Sequence, residues 1–500
     1  MPAQTSNPAG AEVKIILTGA SILNKENGGA ECNRSLFFAH PEDAMSLTEA
    51  VAHWIGNTNY DDIPDETKRA TVIASFDAMG CMLAGSAQPS GKIMSGYIDE
   101  LGGSPHATVV GTGQRTSAAN AAFANGTFGH ALDYDDRGML SHAASLLLAA
   151  LLAVGEKINA GGKDILEATI IGREVGHALS EGMRHIGFHK MAVFGRIGAT
   201  VACAKLLRLD IQQIQMALGI AGSMASGVSH NHGTMTKPLH AGLAARDGVM
   251  AAEMAARGWT AGDRTLEHPA GFMASFCGDT NVWRLIQNLG KPFLAQDAVG
   301  IKKYPCGGAN HRVIDALLAL MKEHSFDYRA VEDVEVPQSY QSHYIMIAKP
   351  RTGLEAKFSM VYIPAATLVQ GYIDIDTFTD EHIQDLRIQE TMEKIRVRVL
   401  SQWEVGLDRA ESRWPGGSTG HTNRAIKVRL KDGRVLTKHI PPDQVLGEPK
   451  NPWGFENIRS KFASNARLAL PEAKAAEAEK VWSDMEQIGS IRDAAAAVVP

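Results

Sequence analysis

The feature that most constrains this chain is the run from Ala143 to Gly155, which carries no charged side chain and is apolar on every face of a helix. A helix of that kind has no side to offer to water and must be surrounded. It is also well short of the roughly 18 to 20 residues that cross a bilayer. The chain therefore has to wrap other helices around this one. With 500 residues and 45% hydrophobic content it can do so, and a chain of this length is expected to form two domains.

The surrounding helices can be read from residue 46 to about 290. Ser46 and Glu49 have capping-box spacing ahead of Val51, Trp54 and Ile55. A helix is expected over 65–83, after Pro64 and with Gly85 as its stop, and others over 164–181, 197–207, 211–224 and 241–257. Several are rich in Ala and Gly, which permit close approach. From about 295 to 445 the period changes to two: Val334 and Val336; Ile395, Val397 and Val399; then Ile426, Val428 and Leu430 before Lys431-Asp432-Gly433-Arg434 and Val435. An Asp-Gly pair between alternating segments signals a hairpin. After about 452 the pattern returns to helix, with Val481, Met485 and Ile488 on one stripe, and this tail is expected to pack back on the first domain.

Charge and cysteine content narrow the function. The 49 basic and 55 acidic residues give −6 and are interspersed, which argues against a nucleic-acid partner. Cys32, Cys81, Cys203, Cys277 and Cys306 include no C-x-x-C pair, so neither a disulfide framework nor a thiolate zinc site is indicated, and a reducing, cytoplasmic setting is expected. Residues 1–44 match nothing that follows. Their apolar stretch Val13 to Leu17 lacks the flanks of a secretory signal; disorder is expected there, with Met45 a candidate natural start.

Three stretches carry a family resemblance. They are Ala122-Phe123-Ala124-Asn125-Gly126 running into His130-Ala131-Leu132-Asp133-Tyr134-Asp135-Asp136; Gly233-Thr234-Met235-Thr236-Lys237-Pro238-Leu239-His240-Ala241-Gly242; and Lys302-Lys303-Tyr304-Pro305-Cys306. With 219–227 and 353–359 in support, the chain from about 46 to 460 resembles the MmgE/PrpD family. The resemblance implies a mainly α fold: a large all-helical domain plus a smaller α+β domain, in a homodimer. Boundaries are expected at 45–292 for the helical domain, 293–448 for the α+β domain and 449–500 for helices returning to the first. Family activities include dehydration of 2-methylcitrate, decarboxylation of cis-aconitate and epimerisation of iminodisuccinate, on small organic acids without metal or nucleotide.

Breaking a C–H or C–CO2 bond beside a carboxylate builds negative charge on an anionic group, so the site needs cations for the carboxylates and a tuned acid/base. In the first signature Asp133 and His142 are similar to the family's aspartate and histidine, a carboxylate orienting an imidazole, with His142 as proton carrier. His189 matches a second family histidine and would be the partner acid. Lys237 and Lys302 match lysines that bind substrate carboxylates, and Tyr344 sits where a family tyrosine approaches the reacting carbon. Relatives tend to read Asp-Asp-Thr and His-Pro-Ser, whereas here Arg137 follows Asp136 and Ala143-Ala144 follow His142, with a shortened loop; Arg137 is thus placed with the substrate-binding residues. Asp136 and His240 read as structural.

The expected function is a cofactor-independent lyase on a small di- or tricarboxylate, with dehydration first as the family's commonest label. The alternatives are an epimerase using the same site and a non-catalytic paralogue. His230 and His232 with Asp133 and Asp136 invite a metal, yet their spacing follows no established ligand pattern, so no metal is expected. Gly111-Thr112-Gly113 lacks the order of a nucleotide loop, and no organic cofactor is implied.

Overall fold

Helix Ala143–Ile158 runs through the middle of the larger core, with Leu146, Leu147, Leu148 and Leu151 wholly buried. Each such leucine contributes about 1.5–3 kcal/mol on burial, so this one helix anchors its neighbours. The computed structural model describes residues 45–138, 140, 142–183, 187–279, 281–294, 299–339, 347–401 and 425–500. The expectations placed on residues 1–44, Cys32 and Tyr344 lie outside them.

Around the central helix stand Asp65–Ser86, Ala118–His130, Gly162–Ser180, Arg196–Leu206 and Thr236–Ala255, with Ile211–Met224 packed outside the last two. The first described helix, Leu47–Asn57, opens on the expected capping box, both Ser46 and Glu49 bonding each other's backbone. Chain 455–482 returns to this core: Phe462 stacks on Phe76 at 4.3 Å, and Lys461 pairs with Asp77 at 2.7 Å. No single described helix is long and apolar enough to cross a membrane.

Two expectations about helix ends give way to packing. Gly85 lies inside helix Asp65–Ser86 instead of stopping it; a Cβ there would strike the Phe128 carbonyl, so this glycine serves the contact with helix Ala118–His130. The helix expected from 241 begins at Thr236, because Pro238 falls in the first turn, where a missing N–H costs nothing.

The smaller core belongs to residues between Tyr304 and Leu436. Its sheet has the order Ile395–Leu400, Val331–Ser339, Ile426–Leu430, Val435–Lys438, the first pair parallel and the others antiparallel. Val428 opposite Leu436 sets the expected hairpin register. Helices His311–His324 and Tyr362–Gln370 supply Ile314, Leu317 and Ile363 to the same core. The expected alternation fails at Val399, which is exposed while Leu400 is buried; it lies on an edge strand with a partner on one side only. A large helical domain with a smaller α+β domain is the architecture.

Candidate active site

The first two signature stretches meet because two helices touch backbone to backbone. A Cβ on Gly126 would lie 2.9 Å from the Ala241 carbonyl, and one on Gly242 would collide with the Phe123 carbonyl. Only glycine at both positions lets helices Ala118–His130 and Thr236–Ala255 approach so closely. That contact sets Lys237, in the first turn of one helix, against the chain leaving the other.

The leaving chain is bent sharply. Asp133 (φ 52°) and His142 (φ 65°) both adopt the left-handed conformation, which costs a non-glycine residue roughly 1–3 kcal/mol and gathers at functional sites. Asp136 anchors the bend between them: one oxygen accepts the Ala144 N–H at 2.9 Å and the other pairs with Arg173 at 2.9 Å. His142 thereby stands at the N-terminus of the central helix.

The hydrogen bonds fix the tautomers. Asp135 Oδ1 lies 3.0 Å from Nδ1 of both His130 and His142, so both nitrogens donate to it. His130 Nε2 then accepts from Lys237 Nζ at 2.5 Å, and His142 Nε2 keeps a lone pair, 3.8 Å from Asp133 Oδ1. Lys237 also donates to Asp133 Oδ1 at 2.6 Å; Lys302 donates to Asp133 Oδ2 at 2.9 Å and to its carbonyl at 2.7 Å. The carboxylate that orients His142 is therefore Asp135 rather than Asp133, whose partners are the two lysines.

Burial pushes the Asp133 carboxyl up, but Lys237 and Lys302 outweigh it and hold the group well below the usual carboxylate range. The same burial raises Asp135, and the two imidazoles more than reverse it. His142 is pulled below the ordinary imidazole value by burial against the opposing charge of Asp135, and His130 falls to about 3 from burial and then Lys237. Burial also lowers Lys237, with Asp133 opposing. At neutral pH the centre thus holds neutral imidazoles beside ionised Asp133 and Asp135.

His189 stands across from His142, ring centres 6.4 Å apart, its Nδ1 3.1 Å from His240 Nδ1. It lies two residues before a π-helical stretch, Met191–Gly195, a local widening that often accompanies functional sites. His232 closes the wall between His189 (5.0 Å) and Phe358 (5.5 Å), and Lys237 Nζ lies 5.3 Å from the Phe358 ring. His142 and His189, at 7% and 9%, keep more residual exposure than Asp133, Lys237 and Lys302, which places them toward the accessible side of the cluster.

Asp133, His142, Lys237 and Lys302 are thus brought together, with His189 facing them. Arg137 stays at the edge: its Nε pairs with Glu448 at 2.6 Å and its backbone bridges Gly300. Tyr344 lies outside the described residues. His130 and Asp135 lie within a signature stretch but carry no role legible from the sequence alone; their five-residue separation across a helix end is the available signal. His240, read as structural, touches His189.

The metal set weighed from the sequence does not assemble, since His230 is exposed while Asp136 is buried against Arg173. His130, Asp135 and His142 do place three possible ligand atoms within 4.8 Å of one another. Here one Asp135 oxygen binds both imidazoles and an ammonium faces His130, hydrogen bonds that a cation would have to replace. A cavity of about 360 Å³ between helices Leu47–Asn57, Gly162–Ser180, Arg196–Leu206 and Ile211–Met224 contains none of these residues.

The fold and this cluster define a mainly helical, two-core protein with a buried acid/base and lysine centre. The MmgE/PrpD N-terminal domain profile matches residues 49–284 and the MmgE/PrpD C-terminal domain profile residues 304–487. The chain belongs to the MmgE/PrpD family. It is 27% identical to a cis-aconitate decarboxylase of Mus musculus over 85% of this chain and 88% of the relative. Cis-aconitate decarboxylases of Homo sapiens (26%; 89% and 92%) and Aspergillus terreus (26%; 89% and 94%) are similar to it over comparable lengths.

Proposed function

We propose that this protein is a lyase that acts on a small di- or tricarboxylic acid by acid/base proton transfer beside a carboxylate, drawing on side chains alone. The observation that carries the reading is one buried carboxylate, Asp133, shared by two lysines next to a histidine with a free lone pair. Each ammonium has three N–H groups and, among the described residues, spends two. One donor of Lys237 and one of Lys302 are left for a substrate carboxylate without breaking the resting network.

The names of the similar proteins move decarboxylation ahead of dehydration. In that reaction the bond to a carboxylate breaks and CO2 leaves. The electron pair stays on carbon, spread into the adjoining double bond and carboxylate that Lys237 and Lys302 hold. The double bond shifts toward the carbon that lost CO2, and His142, having taken a proton from solvent at Nε2, delivers it to the far end of the allylic system, beside the held carboxylate, while Asp135 stabilises the imidazolium. In a dehydration the same Nε2 would take the α-proton and His189 would protonate the departing hydroxyl. A homodimer, on the family resemblance, and a cytoplasmic setting, on the cysteine pattern, belong to the same proposal.

Proton NMR in deuterated buffer with 2-methylcitrate, citrate, cis-aconitate and iminodisuccinate tests this. Loss of a carbon from cis-aconitate, or a new olefinic signal from a citrate, is the expected result. Deuterium wash-in without a new skeleton would replace the lyase by an epimerase, and silence across the panel would count against an enzyme of these acids.

A further inference from the structure

Beside the centre lies a group of buried polar atoms that the lyase reading leaves unused. Asn310 and His311 are wholly buried at the start of helix His311–His324. Among the described residues, neither the amide atoms of Asn310 nor the ring nitrogens of His311 have a hydrogen-bond partner within normal geometry, although the Cys306 backbone stands beside the imidazole. Arg137 Nη1 is likewise buried and unpaired, although Nε is held by Glu448. Leaving one buried polar group unsatisfied costs about 1–3 kcal/mol, so three side chains in this state next to one another call for a common partner.

The local backbone is shaped to bring them together. Gly308 lies under the guanidinium, where a Cβ would come within 3.7 Å of Arg137 Cζ, and a Cβ on Gly307 would meet the Asn310 amide and the Phe358 ring at 3.4 and 3.3 Å. Phe358 is the ring that faces Lys237 and His232. His311 is kept well below the ordinary imidazole range by burial and then by the Arg137 and Lys302 cations, so it is neutral and carries an N–H to donate. Helix N-termini favour anions, and Lys302 and Arg137, each also paired with a carboxylate, are the cations that act on His311.

We propose that Arg137, Asn310 and His311 form a second carboxylate-binding subsite, which holds the end of the substrate that does not react and selects a tricarboxylate over a dicarboxylate. This rests on the lyase reading, in which Lys237 and Lys302 hold the carboxylate at the reacting end.

Isothermal titration calorimetry of the full chain with propane-1,2,3-tricarboxylate and with maleate, whose two carboxylates are fixed side by side, separates the two ideas. His311→Phe should weaken tricarboxylate binding about tenfold, the equivalent of one charge-assisted hydrogen bond, and leave maleate unchanged. Asn310→Leu and Arg137→Gln carry the same expectation if His311→Phe does not fold, and His311→Gln should restore most of the affinity. Lys237→Ala should weaken both acids. Unchanged tricarboxylate affinity in His311→Phe, or an equal loss for both acids, would overturn the subsite and leave the lyase reading standing; a wild-type protein that binds neither acid would overturn both.

Discussion

Two kinds of buried carboxylate lie within a few residues of each other in this molecule. Asp136 meets one cation, Arg173, and one backbone N–H, and Asp77 meets Lys461. Asp133 meets two lysines, one of which also reaches a histidine. In a one-to-one pair a single cation balances the carboxylate's charge. A shared carboxylate leaves cationic donors in surplus, at a place where the backbone is also strained. The difference separates structure from chemistry better than residue type does, since all three are buried aspartates beside basic side chains.

The comparison can be broken by experiment. Arg173→Ala strands Asp136 as an uncompensated buried charge and should cost about 3–5 kcal/mol of stability; urea unfolding that moves by less than about 1 kcal/mol would show that the one-to-one pair is not structural. Lys237→Ala removes a surplus donor and should lower turnover of the acid identified by NMR by about 100- to 1,000-fold, roughly 2.7–4 kcal/mol in the barrier, with a thermal midpoint close to wild type. Equal activity would sink the assignment of the centre.

Acid sharpens the contrast with a known sign. His130 and His177 sit at about 3, and His232 and His240 at about 4, burial being the first cause in each. Below pH 6.5 the unfolded chain gains protons that these buried imidazoles refuse, so stability is present above 6.5 and lost as pH falls toward 4 and 3, by up to about 1.4 kcal/mol per pH unit for each histidine. A thermal midpoint that holds steady from pH 7 to 4.5 would contradict the buried neutral cluster. The smallest effect is expected in the sheet: Arg429 pairs with Asp333 at 3.0 Å in solvent, and Arg429→Ala should cost under about 1 kcal/mol.

Much of this was legible beforehand. A helix apolar on all sides has to be central, a Ser-x-x-Glu box has to start a helix and an Asp-Gly between alternating strands has to turn, because those are local consequences of hydrogen bonding and water exclusion. The family signatures likewise located Asp133, His142, His189, Lys237 and Lys302. Partnership was not legible. Asp135, not Asp133, orients His142, since a left-handed bend at Asp133 turns that carboxylate to the lysines, and no spacing rule encodes the bend. Gly85 was read as a stop because a glycine's missing side chain looks the same in sequence whether it ends a helix or admits a neighbouring carbonyl.

Local sequence thus determined the elements and the stock of acid, base and cation. Tertiary structure alone decided which carboxylate serves which cation: helices Ala118–His130 and Thr236–Ala255 meet across Gly126 and Gly242, and Lys302 arrives from a segment 169 residues beyond Asp133. Charge interactions act through space over a few ångströms, so their outcome is fixed only when the backbone has brought distant residues within reach.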